Sequence, residues 1–238
     1  MFEEDSYHPV NNASELLLRY ALGERGFYIA NLSGAELGGA NLGGAELEKA
    51  NLHAAKLRAA SLRETNLNQA ILRQADLSGA DLTIASLLKA DLFEATLTGA
   101  TLVGAKLLKA DLGKAILRQA DLKGADLREA SLKGADLSHA ELCYAKLFKA
   151  DLSSANLKET NLLKADLSFG DLSYADLRTA QLVGTNLSGA KLNGANLKGV
   201  DLSEVSFVGV NARGAFYDSH TSFPEGFDPV TGGMKKLP

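Results

Sequence analysis

From residue 32 to residue 202 every fifth residue is leucine, 35 in succession with no insertion, flanked by Phe27 and Phe207. Two places before each of these positions, from residue 30 to residue 200, the residue is alanine in 30 of 35 cases, the exceptions being Thr65, Thr160, Gly170, Thr185 and Val200. Between the two stands most often Asp or Asn, as at Asp76, Asp81, Asn156 and Asn161. The two places after each Leu vary. A helix advances about 100° per residue, so a period of five would rotate successive leucines by about 140° and spread them around the circumference. A single strand alternates faces with a period of two, so an odd repeat would flip every second Leu. A chain that keeps every Leu on one side must turn once per repeat.

If each repeat forms one side of a square, about 20 residues complete a coil, and the next coil stacks on it at about the 4.8 Å spacing of paired strands. The pattern therefore predicts a β-solenoid with Leu and Ala inside and the other three places facing water. The run "ADLSGADL" at 75–82, like "ANLKETNL" at 155–162, resembles the pentapeptide-repeat family, and the match extends over residues 25–215. That resemblance implies an all-β fold, a right-handed quadrilateral β-helix with four repeats per coil, here about nine coils. Residues 1–24 read as an N-terminal segment with a short capping α-helix, and 216–238 as a C-terminal cap and loose tail. Asn12 or Ser14 is placed to N-cap a helix running to about Leu22, with Gly23 at its stop. Leu16, Leu17, Tyr20 and Ala21 are then expected to cover the open end of the core and hide a β edge. At the other end Phe207, Phe216, Phe223 and Phe227 surround "SFPEGFDP", and the chain from about Thr231 is expected to be loose. The entry "LLLRYALGERGF" and the exit "FPEGFDP" are similar to those of cyanobacterial members of the family.

Composition removes several function classes. The 25 basic and 29 acidic residues give a net charge of −4, which names no polyanionic or nucleic-acid partner. A single cysteine, Cys143, rules out an internal disulfide framework and suits a reducing compartment. The first residues show no basic leader pattern, and no apolar run reaches the length of about 18 that a membrane span needs, so a cytoplasmic protein that does not span a membrane is expected.

Candidate chemistry is absorbed by the repeat. The stretch "SGAELGGANLGGAEL" at 33–47 lacks the GK(S/T) ending and the strand-to-helix context of a phosphate loop, so its glycines read as tight corners. Carboxylates one coil apart, Asp91 with Asp111 and Asp151 with Asp171, read as residues that bond to nearby backbone in turns. His8, His53, His139 and His220 are scattered and form neither a metal set nor a triad. Cys143 has no identifiable base and reads as an exposed or half-covered bystander. "AILRQADL" occurs at 70–77 and 115–122, a spacing of 45 that puts the copies on neighbouring sides. No enzyme and no cofactor are expected.

Sorting the outward places by residue number modulo 20 aligns the unusual ones. Ile84, Leu88, Phe93, Val103 and Leu108 form a lower apolar cluster around one corner of the shaft, and Cys143, Tyr144, Phe148 and Leu163 an upper one, with Lys123 and Arg128 between. An apolar patch rimmed by charge marks an interaction site. Scattered exposed aliphatics are also ordinary, and the terminal segments are alternative covers for the patch.

The expected function is a noncatalytic scaffold that binds a protein partner through its side, with direct nucleic-acid binding not expected. The family resemblance implies two alternatives. Some members are DNA mimics that act on DNA gyrase, and about nine coils give a rod of about 40–45 Å. Here Arg58, Arg118, Lys158, Arg178 and Lys198 share one side and Lys89, Lys109 and Lys149 another, so basic columns interleave with the acidic ones. The second alternative is a regulator of heterocyst differentiation, because the entry segment looks like that of a cyanobacterial member with that role.

Overall fold

In a computed structural model of the protein, residues 9–238 are described. Residues 1–8 of the entry segment, His8 among them, lie outside the described residues. From Gly26 to Phe216 the backbone pairs in parallel with itself one coil later, as in Asn31 with Asn51, Asp91 with Asp111 and Asn196 with Phe216, with a gap between Gln181 and Asp201. Each coil thus holds four of the repeats, and every repeat ends in a turn.

One repeat shows how five residues satisfy their own backbone. The Asp91 N–H donates to the Ala70 carbonyl of the preceding coil (2.9 Å), and the Leu92 N–H to the Asp111 carbonyl of the following one (2.6 Å). The Phe93 N–H donates to the Asp91 side chain (3.1 Å). The Glu94 N–H reaches the Gly113 carbonyl (2.9 Å), and the Ala95 N–H closes a turn on the Leu92 carbonyl (3.0 Å). All five donors are used within one repeat and its two neighbours. The third residue of that turn, Glu94, has φ +59°, and the same left-handed place recurs two residues after each centre of the repeat from Ile29 to Gly199. A turn of this kind requires a positive φ there.

The interior is a ladder of fully buried leucines with alanines between them. Where Thr65, Thr160 and Thr185 replace Ala, the hydroxyl donates to the carbonyls of Leu42 (3.1 Å), Leu137 (3.0 Å) and Leu162 (2.7 Å), so the buried polar atom is satisfied.

At the N-terminal end α1 (Ala13–Ala21) is capped by Asn12, whose side chain accepts the Glu15 N–H at 2.9 Å. Its inward stripe is Ala13, Leu16 and Tyr20, joined by the buried Val10. Leu17 and Ala21 do not share in it. They lie on the outer side of the helix, and Leu17 is exposed.

The C-terminal end departs further from expectation. The interior column continues through Ala212 to Tyr217, so the repeat outlasts residue 215. Phe207, Phe223 and Phe227 close the shaft, with Phe207 and Phe227 edge to face at 4.8 Å and Tyr217 against Phe223 at 5.4 Å. Phe216 is not part of this plug. It occupies the outward polar place of its repeat, half-buried, with the Lys235 ammonium 5.8 Å from its ring. Nor is the segment after Thr231 loose. β1 (Phe216–Tyr217) pairs in parallel with β2 (Lys235–Lys236), Met234 is buried, and the Leu237 N–H bonds to the Tyr217 carbonyl at 2.8 Å. The last segment covers the free edge of the final coil.

Candidate interaction surface

Three outward places per repeat build the surface, each with its own environment. The polar place before Leu holds Asp or Asn because its side-chain oxygen accepts the N–H of the residue after Leu, as Asp81 does from Thr83 (3.0 Å) and Asn161 from Leu163 (3.2 Å). Where Ser86 cannot do this, the Leu88 N–H is taken by Asn68 of the preceding coil at 2.9 Å. The carboxylate columns are therefore backbone supports, as the turn chemistry requires.

These carboxylates also engage bases. Arg63 pairs with Asp81 and Arg73 with Asp91, each at 3.1 Å and each reaching up to the next coil, and Arg118 bonds Asp136 in the same relation. Arg128 forks back onto Asp126 with bonds of 2.7 and 2.6 Å, and this interaction, which outweighs burial, holds the Asp126 carboxyl below the usual range.

The first place after Leu lies against the neighbouring coils, and the second projects. Leu88, Val103, Leu108, Phe148 and Leu163, all in the first place, are half-buried, whereas Ile84 and Tyr144, in the second, are 51% and 57% exposed. Ile84 and Val103 adjoin through an N–H to carbonyl bond of 3.0 Å, and the Lys89 N–H links to the Leu108 carbonyl at 3.0 Å, so the lower cluster resolves into one pair at each of two neighbouring turns, stacked on consecutive coils. Phe93 stands apart from it, one corner further around. Its ring covers Gly113, where a Cβ would come within 3.0 Å, and the Arg73 guanidinium lies 4.5 Å from the ring centre.

In the upper cluster Tyr144 adjoins Leu163 through a 2.9 Å backbone bond. Cys143 is 7% exposed, and burial followed by the nearby Glu141 charge pushes its thiol up, so it is covered rather than open. Phe148 meets Phe169 edge to face at 5.8 Å. Phe169 and Tyr174 are 59% and 72% exposed and were not among the residues singled out from the sequence. The available signal was a large ring at the left-handed place with a glycine at the same place one coil later. Phe169 leans over Gly189 and Tyr174 over Gly194, each ring 2.8 Å from where a Cβ would be.

Between the clusters Lys123 contacts Asp121 (3.4 Å) and Glu141 (3.7 Å). Among the described residues no group of three or more His, Cys, Asp and Glu side chains is placed to hold a metal ion, and no helix is long and apolar enough to cross a membrane.

The model of pentapeptide repeats matches residues 30–69, 60–99, 70–107, 105–143, 145–180 and 180–216. Among solved structures the chain is similar to HetL, described as a pentapeptide-repeat protein involved in heterocyst differentiation regulation, from the cyanobacterium Nostoc sp. strain PCC 7120. The identity is 36% over 91% of this chain and 98% of HetL, with a TM-score of 0.36. Rfr23 from the cyanobacterium Cyanothece is 35% identical over 43% of this chain and 63% of its own, with a TM-score of 0.26. QnrB1, a plasmid-mediated fluoroquinolone resistance protein, is 18% identical over 72% of this chain and 87% of its own, with a TM-score of 0.36. Comparison with curated proteins gives no match. The stacked coils, the Leu ladder and the family model over most of its length agree that the chain belongs to the pentapeptide-repeat family, whose fold is a right-handed β-helix.

Proposed function

We propose that the protein is a noncatalytic, cytoplasmic scaffold, a four-sided column of about nine coils that binds a protein partner through its side. The observation carrying this reading is the apolar corner of the shaft. Leu88, Leu108 and Phe148 lie half-open on one side, Ile84 and Tyr144 project beside them, and Phe169 extends the run upward. The fold asks for none of them, since the Leu and Ala places already fill the interior. Apolar anchors on a rigid, regularly spaced frame lose little conformational freedom when a partner covers them. Pairing of the Asp columns with Arg63, Arg73, Arg118 and Arg128 weighs against a DNA-mimic role, because a mimic needs its carboxylates unneutralised.

Affinity capture of a partner with the wild type and with the Leu88→Ser, Leu108→Ser, Phe148→Ser variant tests the reading. A partner held by the wild type and lost by the variant, with circular dichroism unchanged, is the expected result. A partner retained equally by both would refute the corner as the binding site.

A further inference from the structure

The side that carries Leu88, Leu108 and Phe148 differs in charge from the rest of the shaft. Over residues 86–149 its outward places hold six bases, Lys89, Lys106, Lys109, Arg128, Lys146 and Lys149, against two acids, Asp126 and Glu129, a net +4 in a protein of net −4. The adjoining side over 81–144 carries Asp81, Asp121 and Glu141 against Lys123 alone, a net −2.

The lysines are also short of partners. Lys109 pairs with Glu129 at 3.4 Å and Arg128 with Asp126, which uses both acids. Among the described residues Lys89, Lys106, Lys146 and Lys149 have no carboxylate within ion-pair distance, whereas Arg63, Arg73 and Arg118 on other sides each reach an Asp of the next coil. Lys149 rests its ammonium 5.1 Å from the Phe148 ring, a contact that leaves its charge available. Like charges on neighbouring rungs repel. Lys89 stands one coil below Lys109, and Lys146 shares a repeat with Lys149. Lys146 stands one coil above Asp126 and helps hold its carboxyl down, but the excess of positive charge on this side is left for an anionic partner to relieve.

We propose that this side binds an acidic protein segment, whose apolar side chains seat on Leu88, Leu108 and Phe148 while its carboxylates engage Lys89, Lys106, Lys146 and Lys149. The proposal rests on the scaffold reading and adds the chemistry of the partner. Nucleic acid fits the side less well. Phosphates make no use of Leu88 and Leu108, the one guanidinium in the group is held by Asp126 in two hydrogen bonds, and the whole protein is anionic. An acidic segment with apolar residues uses both halves of the surface, the charges steering encounter and the apolar anchors setting the lifetime.

Selection from a random displayed peptide library tests this, using the whole protein and two variants. One carries Lys89→Glu, Lys106→Glu, Lys146→Glu and Lys149→Glu, the other Leu88→Ser, Leu108→Ser and Phe148→Ser, and both are checked for an unchanged circular dichroism spectrum. A pool selected on the wild type should be enriched in Asp and Glu together with Leu, Ile, Phe or Trp. Individual peptides from it should weaken about tenfold on lysine reversal and lose affinity as salt rises. A pool with no acidic excess that the serine variant still abolishes would overturn this inference and leave the scaffold reading standing. A pool that binds both variants as well as the wild type would overturn both. No enrichment at all, or short duplex DNA binding more tightly than the peptides and lost on lysine reversal, would overturn the acidic-segment proposal.

Discussion

Leu107 and Leu108 are neighbours in sequence, yet the fold assigns them opposite energetic weight. Leu107 is fully buried between Leu87 and Leu127 of the adjacent coils, while Leu108 lies half-open on the outside. Leu107→Ala removes three buried carbons, about 2.4 kcal/mol at about 0.8 kcal/mol each. The void has little chance to collapse, because its walls are rungs held by backbone bonds such as that from the Leu107 N–H to the Asp126 carbonyl at 2.7 Å. The cavity then raises the loss to about 3–5 kcal/mol. Leu108→Ala gives up only the covered part of the same three carbons and leaves an opening that water fills, a loss of about 1 kcal/mol.

Chemical denaturation followed by circular dichroism measures the difference. Because each coil touches only its neighbours, the Leu107 variant is also expected to unfold over a broader transition, as the two halves of the ladder uncouple. A Leu108→Ala variant as unstable as Leu107→Ala would refute the division into inside and outside leucines. A Leu107→Ala loss of no more than about 1 kcal/mol would refute the rigidity of the ladder.

Three further outcomes follow from the outward places. Asp171→Ala leaves the Ser173 N–H without its 2.9 Å acceptor and should cost about 1 kcal/mol in chemical denaturation, whereas Asp171→Asn keeps an oxygen there and should cost less than half as much. Thermal unfolding should weaken in acid. At Asp76, Asp136 and Asp171 burial pushes the carboxyl up, but hydrogen bonds from Ser78, from Arg118 and Ser138, and from Ser173 outweigh it and leave each below the usual range. Stability from such groups is present above the unfolded value of about 3.9 and lost as pH falls through the lower folded values, so the melting temperature should drop below about pH 4. Gly194→Ala forces a side chain into φ +66° and a Cβ to 2.8 Å from the Tyr174 ring, which should cost about 1–2 kcal/mol for the backbone and more for the displaced ring. Adding Tyr174→Ala should restore only the second part in a double-mutant cycle.

The Leu and Ala columns were legible because a five-residue period with a single interior leaves no other arrangement, and the helix signals at Asn12 and Gly23 are local chemistry. The support given by Asp and Asn was legible for the same reason. What the string did not disclose was how far each outward residue projects. Cys143 and Tyr144 are adjacent and both look outward in the repeat, yet one is covered and the other open. The difference comes from the backbone of the turn. The first place after Leu lies along the neighbouring coil, and the left-handed second place throws its Cβ clear of the shaft. That relation needs the offset between coils, which the periodicity does not contain. Phe93 is a different case, because its number modulo 20 already puts it one side beyond Leu88 and Leu108, and its inclusion in the cluster runs against the periodicity itself. The C-terminal segment was illegible on other grounds. Asp201 pairs with Ser222, one place later than the repeat would put its partner, and Phe216 with Lys235, one place earlier, so the period that organised everything before it no longer applies.

The left-handed corners connect the fold to its surface. An L-residue with a side chain at φ near +60° is strained by about 1–2 kcal/mol relative to glycine, most of all when it is bulky or branched. The chain nevertheless places Ile84, Tyr144, Phe169 and Tyr174 there, at φ +59°, +61°, +59° and +62°. Three of them recover part of that strain by leaning on a glycine of the next coil, Ile84 towards Gly104, Phe169 over Gly189 and Tyr174 over Gly194. That contact covers one face of each side chain and leaves the other to solvent. A corner glycine would avoid the strain and expose nothing, and 12 of the 35 corners from residue 29 to residue 199 use one. The bulky corners therefore work against the stability of the isolated shaft. A partner that covers their open faces supplies the burial that the fold withholds, which is why the side bounded by the corner of Ile84 and Tyr144 and the corner of Phe169 is the place to test.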